Sequence, residues 1–229
     1  MSQIRTNQQG FTLVEIAIVL VIIGLLLGGI LKGQEMITQA KIKNVVNDFN
    51  GVTAAVNSYQ DRYRALPGDE LNASTVARWG AAAFGGDGNG VFCTGACGAT
   101  PPGYNTAPTV PSSTSPEVSL FWLHLRLAGF VPGPTAGIAS TAQPNNAANG
   151  IMGVQTTGMG FNSNIICTSN LPDKIAIAVD TQMDDGSSNT GTVRALQQTA
   201  PNPAIGAGQI STPAYAETGT NNYVVCRSL

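Results

Sequence analysis

Charge is what this chain has least of. Charged residues make up 10% of its 229 residues, well under the usual quarter of an ordinary soluble domain. Eleven Lys and Arg stand against thirteen Asp and Glu, for a net charge of −2. There is no broad basic footprint, so phosphate-backbone binding is not indicated and nucleic acid is not an expected partner. Histidine occurs once, as His124. Gly-x-Ser-x-Gly, a Walker loop and His-Glu-x-x-His are all missing, so no enzyme is expected. Aromatic residues are 6% of the chain, and Trp79 and Trp122 read as core residues rather than a ligand platform. The four cysteines, Cys93, Cys97, Cys167 and Cys226, are even in number, which fits an oxidising compartment. Gly, Ser, Thr, Asn, Ala and Pro take the place of charge, which makes for a polar but weakly charged surface. No internal repeat is present.

One feature is abundant. Residues 11–31, FTLVEIAIVLVIIGLLLGGIL, hold a single ionisable group, Glu15. As a helix this run covers about 30 Å, one hydrocarbon thickness. Residues 1–10, MSQIRTNQQG, are short and polar and carry Arg5 with the start amine, so the N-terminus is expected to stay cytoplasmic. A secretory signal peptide would have a shorter apolar region followed by a small-residue cleavage site. Here the small residue, Gly10, precedes the run, and cleavage there would leave the membrane segment on the mature chain.

Gly10-Phe11-Thr12-Leu13-Val14-Glu15, behind a polar leader and ahead of a long apolar run, resembles the processing motif of type IV pilins and type II secretion pseudopilins. The resemblance covers roughly residues 5–65. It implies cleavage between Gly10 and Phe11 by a prepilin peptidase, N-methylation of Phe11, and assembly into a helical filament. It also implies a role for Glu15. Alone in lipid at this shallow depth the carboxylate costs on the order of 2–3 kcal/mol or less. The partner the family implies is the new amine of Phe11 on a neighbouring subunit, a pair that would set the axial register. The plainer account is a Glu that snorkels to the headgroups. Many pilins carry a proline at the end of the apolar run. This chain has Leu31-Lys32-Gly33 there, which leans toward a pseudopilin or a minor pilin-like class.

Beyond Leu31 the helical pattern continues. Ile42, Val45, Val46, Phe49, Val52, Val56, Tyr59 and Tyr63 recur every three or four residues with polar residues between, one apolar stripe on a polar helix. Pro67 and Gly68 end it. Residues 12–64 are expected to form one helix roughly 80 Å long. Gly24-x-x-x-Gly28 allows close approach of helices in a membrane, or simply softens the helix. Residues 80–116 read as an irregular loop region. Ser115-Pro116-Glu117 is expected to open a helix, with Ser115 as cap and Gly129 at its close. Residues 144–150, PNNAANG, mark another loop. Strands are expected at 151–156, 164–168, 174–180, 191–196 and 222–227. The fold class is therefore α+β, a long N-terminal helix packed on a small antiparallel sheet head, which is also the pilin architecture. The expected division is leader 1–10, transmembrane half-helix 11–31, amphipathic half-helix 32–64 and head 65–229.

Cys93-Thr-Gly-Ala-Cys97 could be half a metal site, but it lacks a second close pair. Gly95 permits a tight turn, so a local Cys93–Cys97 disulfide is the better reading. Cys167 and Cys226 would then pair, both on expected strands, and pilins often close their C-terminal region in this way. Other pairings stay open at this point. Asp87-Gly-Asn89-Gly90 has the start of a calcium loop, but Val91 follows and no Glu closes it, so a turn is expected. Asp180, Asp184 and Asp185, with Gly186, Ser188 and Asn189, form a denser oxygen cluster. It reads as a calcium loop, since some pseudopilins bind calcium in the sheet region, or as a solvated hairpin turn. His124 is expected to be structural and partly buried.

Together these observations imply a structural subunit of a type IV pilus-like filament, with no cofactor unless calcium. Its expected partners are other copies of itself, other pilin-like subunits, the prepilin peptidase, and an inner-membrane platform with an ATPase. Its expected location is the inner membrane as a single pass, then a periplasmic or extracellular filament. Two rivals are a pseudopilin forming a periplasmic pseudopilus and a minor tip pilin serving adhesion or DNA binding.

Overall fold

The computed structural model describes residues 12–93, 102–206, 209 and 214–229. Helix α1 is Leu13–Tyr63, with no proline inside it. Past its end Arg64 and Gly68 take φ of 56° and 90°, conformations that cannot continue a helix. The chain divides into two units, Met1–Ala40 and Lys41–Leu229. In the first, the described apolar side chains of α1 are exposed, Leu13, Leu20, Leu25 and Leu31 among them. In the second, α1 buries Ile42, Val45, Phe49, Val52, Val56 and Tyr59. Their alternating steps of three and four residues make one face of the helix apolar.

Helix α2 is Asn72–Trp79, α3 is Glu117–Leu127, and a short 3-10 helix follows at Ile138–Thr141. α2 is not among the expected elements. Its sequence NASTVARW is only eight residues long and half polar, too short for a period to be read. α3 begins as expected, but Ser115 does not cap it. Pro116 holds the cap position with no side-chain bond, and Ser115 Oγ instead accepts the Ser112 N–H at 3.0 Å. Every residue of α3 from Glu117 to Arg126 is buried, so this helix runs through the interior.

The sheet is antiparallel throughout. Its strands are β1 Met152–Gly158, β2 Phe161–Pro172, β3 Val193–Gln197 and β4 Asn222–Ser228, in the order β1-β2-β4-β3. Met159 and Gly160, both at positive φ, join β1 to β2 in the two-residue turn that matches strand twist. Alternate residues of each strand serve opposite faces. Ile166, Tyr223, Val225, Val193 and Ala195 join the stripe of α1, together with Phe121 and Trp122 of α3, in the main core. Ile165, Cys167, Val224 and Cys226 point the other way and pack with Tyr104 and Ile205. Both faces of the sheet are thus covered, one by helices and one by loop segments.

One expected strand is a helix. Residues 174–180 lie in α4, Asp173–Met183. The alternation of Ile175, Ile177 and Val179 imitates a strand, yet the buried residues are Ile175, Ala176, Val179 and Asp180, a helical face. Helix-forming alanines at 176 and 178 and the Pro172-Asp173 start favour that outcome.

Candidate functional site

The N-terminal segment opens on a reciprocal cap. The Thr12 N–H and hydroxyl each donate to Glu15 Oε2 at 2.8 Å, and the Glu15 N–H donates to Thr12 Oγ1 at 3.3 Å. This is the capping box of Thr-x-x-Glu, which satisfies orphan donors at a helix start. Glu15 therefore has a local reason to stand near the head of an apolar run. Its side chain nevertheless lies at the surface, beside exposed Ile16, Ile18 and Val19. α1 is long and apolar enough to cross a membrane. Among the described residues nothing approaches Gly24, Gly28 or Gly29 within 4 Å of where a Cβ would stand. Gly10 and Phe11 lie outside the described residues.

Within the head, the polar residues gather where α1 ends. Gly68 turns the chain at φ 90°, and its N–H donates to His124 Nδ1 at 2.8 Å. His124 Nε2 in turn donates to the Phe84 carbonyl at 2.8 Å, which defines the neutral tautomer. His124 is fully buried, more so than expected, and burial pulls its pKa down to about 4. Tyr59 donates its hydroxyl to Glu70, which also accepts two bonds from Arg78 at 2.8 and 3.0 Å. Burial raises the Glu70 pKa, but the bonds from Arg78 and Tyr59 outweigh it and leave it lowered. Arg78 lies 4.1 Å from the ring centre of Tyr63 and 4.7 Å from that of Trp79. This network ties α2 and α3 to the end of α1. Trp122, in contrast, belongs to the main core.

Both acidic groupings are real in space. Asp180 sits in the last turn of α4 rather than after a strand, and Asp184 caps that helix. Asp180 accepts the Tyr215 hydroxyl at 2.6 Å and the Gly186 N–H at 3.2 Å. Asp184 Oδ2 accepts the N–H groups of Thr192 and Val193 at 2.5 and 3.0 Å. Asp185 accepts the Ser187 N–H at 2.8 Å and the Thr190 hydroxyl at 2.5 Å. The loop is closed by its own donors, and burial pushes Asp180 up to about 6.

The second grouping, Asp69, Asp87 and Glu117, is not legible as a set in the sequence. In the sequence Asp87 reads as a turn residue and Glu117 as a helix-start residue, and nothing local singles out Asp69. They are far apart in sequence, and only the Pro67-Gly68 turn brings them together. Asp69 Oδ1 accepts the N–H groups of Gly88 and Asn89, each at 3.0 Å, and Oδ2 that of Gly90 at 2.8 Å. Burial pushes the Glu117 carboxyl up to about 7, against the backbone N–H groups of Asp87 and Cys93.

Cys167 and Cys226 face each other directly across β2 and β4 and are disulfide-bonded, with Cα atoms 4.0 Å apart. Cys93 is also disulfide-bonded, while its expected partner Cys97 lies outside the described residues.

Residues 5–31 match the family model of the prokaryotic N-terminal methylation motif. This is the N-terminal motif of the type IV pilin and pseudopilin family. The motif implies processing by a prepilin peptidase and assembly with other pilin-like subunits. The motif points to a structural subunit rather than an enzyme, and with the apolar start of α1 it fits membrane anchoring. Neither curated proteins nor solved structures gave a match.

Proposed function

We propose that this chain is a structural subunit of a type IV pilus-like filament. The carrying observation is the methylation motif at residues 5–31 running straight into an apolar, exposed helix. In this reading prepilin peptidase cuts between Gly10 and Phe11 and methylates the Phe11 amine, and residues 1–10 are the leader. α1 holds the subunit in the inner membrane with its N-terminus cytoplasmic. A platform with an ATPase then moves it into a filament outside the cytoplasm, where the apolar halves of neighbouring helices pack together. The open space at Gly24 and Gly28 supports such packing, because small residues let helix backbones approach closely. In this reading Glu15, exposed near the helix start, pairs with the Phe11 amine of a neighbour.

A pseudopilin of a type II secretion system is the second reading. The observation behind it is that α1 passes residues 31–33 unbroken and without proline. Mass spectrometry of purified filaments tests the first claim, with Phe11, N-methylated, as the expected N-terminus. Gly10→Val should leave an uncut precursor in the membrane and no filament. An assembled subunit that begins anywhere else would overturn the processing claim. Antibody access to the head on intact cells separates surface pilus from periplasmic pseudopilus.

A further inference from the structure

Glu117 is 1% exposed, yet one of its carboxylate oxygens has no hydrogen-bond partner among the described residues. Oε1 accepts the Asp87 N–H at 3.1 Å and the Cys93 backbone N–H also faces the carboxylate, whereas Oε2 is enclosed without a hydrogen-bond partner among the described residues. A buried charged oxygen left in this state is strongly unfavourable. It is also not alone. One oxygen each from Glu117, Asp69 and Asp87 lie within 4.8 Å of one another. Three carboxylates this close repel one another unless a proton or a cation is shared between them.

The surrounding backbone holds the three in place. Gly68 brings the chain against the start of α3, where a Cβ would meet the Glu117 carbonyl and the Phe121 N–H. Residues 86–90 then fold back over Asp69, and Gly86 passes so close to the Glu117 carboxylate that a side chain there would collide with it. The carboxylates thus come from three separate places, the end of the α1 turn, the Gly-rich loop and the head of α3. The Asp180 loop differs in the decisive respect, since no carboxylate oxygen there is both buried and without a partner.

We propose that Asp69, Asp87 and Glu117 bind one calcium ion, which joins the Gly-rich loop to the head of α3. The donor set is all oxygen, with no nitrogen or sulfur, and suits a hard cation. Each carboxylate oxygen has two lone pairs, so Asp69 keeps its three N–H donors and still offers a ligand. Calcium accepts irregular arrangements of six to eight oxygens, including water, where magnesium demands a near-ideal octahedron.

The test is calcium uptake by the full chain in detergent micelles, after stripping with chelator, measured by equilibrium dialysis with radioactive calcium. The expected result is uptake that depends on this site, with a dissociation constant on the order of 0.1–1 mM and a melting temperature raised by calcium. Glu117→Gln and Asp87→Asn should each weaken that binding by about tenfold or more, while Asp184→Asn/Asp185→Asn leaves it in place. Asp87 is exposed, so its variant serves if Glu117→Gln fails to fold, with circular dichroism as the check. No uptake by the folded wild type at about 5 mM calcium would overturn the proposal. So would uptake unchanged in both Glu117→Gln and Asp87→Asn. Absent uptake together with a Glu117→Gln variant more stable than wild type would show that a shared proton closes the cluster instead.

Discussion

Gly68 and His124 show how much a single position carries here. At φ 90° and against the backbone of α3, Gly68 has neither the conformation nor the space for a side chain. Gly68→Ala should therefore lose about 2 kcal/mol or more in chemical denaturation of the chain in micelles. His124 receives the Gly68 N–H and faces Tyr59, Glu70 and Arg78. Its pKa is about 4 when folded and near 6.5 when unfolded. The stability it contributes is complete above pH 6.5 and is lost as the pH falls through that window, because the unfolded chain takes up the proton first. Glu117 and Asp180 are shifted the opposite way and partly mask this slope in the wild type. The comparison with His124→Gln, which can accept and donate at the same places, isolates it. The stability advantage of wild type over this variant should shrink by roughly 3 kcal/mol between pH 7 and pH 4. A constant difference across that range would show that His124 titrates normally.

At the scale of elements, the head depends on one stripe and one staple. Phe49 lies at the centre of the buried face of α1 and is fully enclosed. Phe49→Ala should cost about 3–5 kcal/mol, through lost burial and the cavity left behind. Asn44, between the buried Ile42 and Val45, is exposed, and Asn44→Ala should fall within about 0.5 kcal/mol of wild type. The disulfide between β2 and β4 closes a loop with sequence separation 59. In the chain-entropy model the double variant Cys167→Ala/Cys226→Ala should lose about 4 kcal/mol, readable as an earlier denaturation midpoint with a steeper slope, because the unlinked denatured chain exposes more surface.

For the molecule as a whole, Glu15 has two claims on it, one within the chain and one between chains. The capping box belongs to the helix start, whereas the proposed ion pair belongs to the filament. Two variants separate them. Thr12→Ala removes the cap at a cost of about 1 kcal/mol and leaves the carboxylate, so the subunit should still assemble. Glu15→Leu removes both; it should insert and be processed, yet be poorly incorporated when co-expressed with wild type. Quantifying the two variants in sheared filaments decides the matter. Normal incorporation of Glu15→Leu would leave the cap as its main role.

The sequence alone determined the parts of this protein that follow from local periodicity and from a contiguous motif. The run from Phe11 to Leu31, the stripe from Ile42 to Tyr59 and the motif around Gly10-Phe11 are short-range patterns, and each was legible without coordinates. Four of the expected strands were legible for the same reason, but which cysteines pair was decided only when β2 and β4 set Cys167 opposite Cys226. Tertiary structure decided the rest. Residues 174–180 alternate like a strand, and packing of Ile175, Ala176 and Val179 against the sheet selected a helix instead. α3 carries Glu117, His124 and Arg126 into the interior, which no local pattern announces, because their partners lie on segments remote in sequence. The cluster of Asp69, Asp87 and Glu117 is of the same kind. Its members have ordinary local roles as turn and helix-start residues. Only the closure of the Pro67-Gly68 turn against α3 sets their charges together, since burial and proximity arise from long-range contacts rather than from sequence spacing.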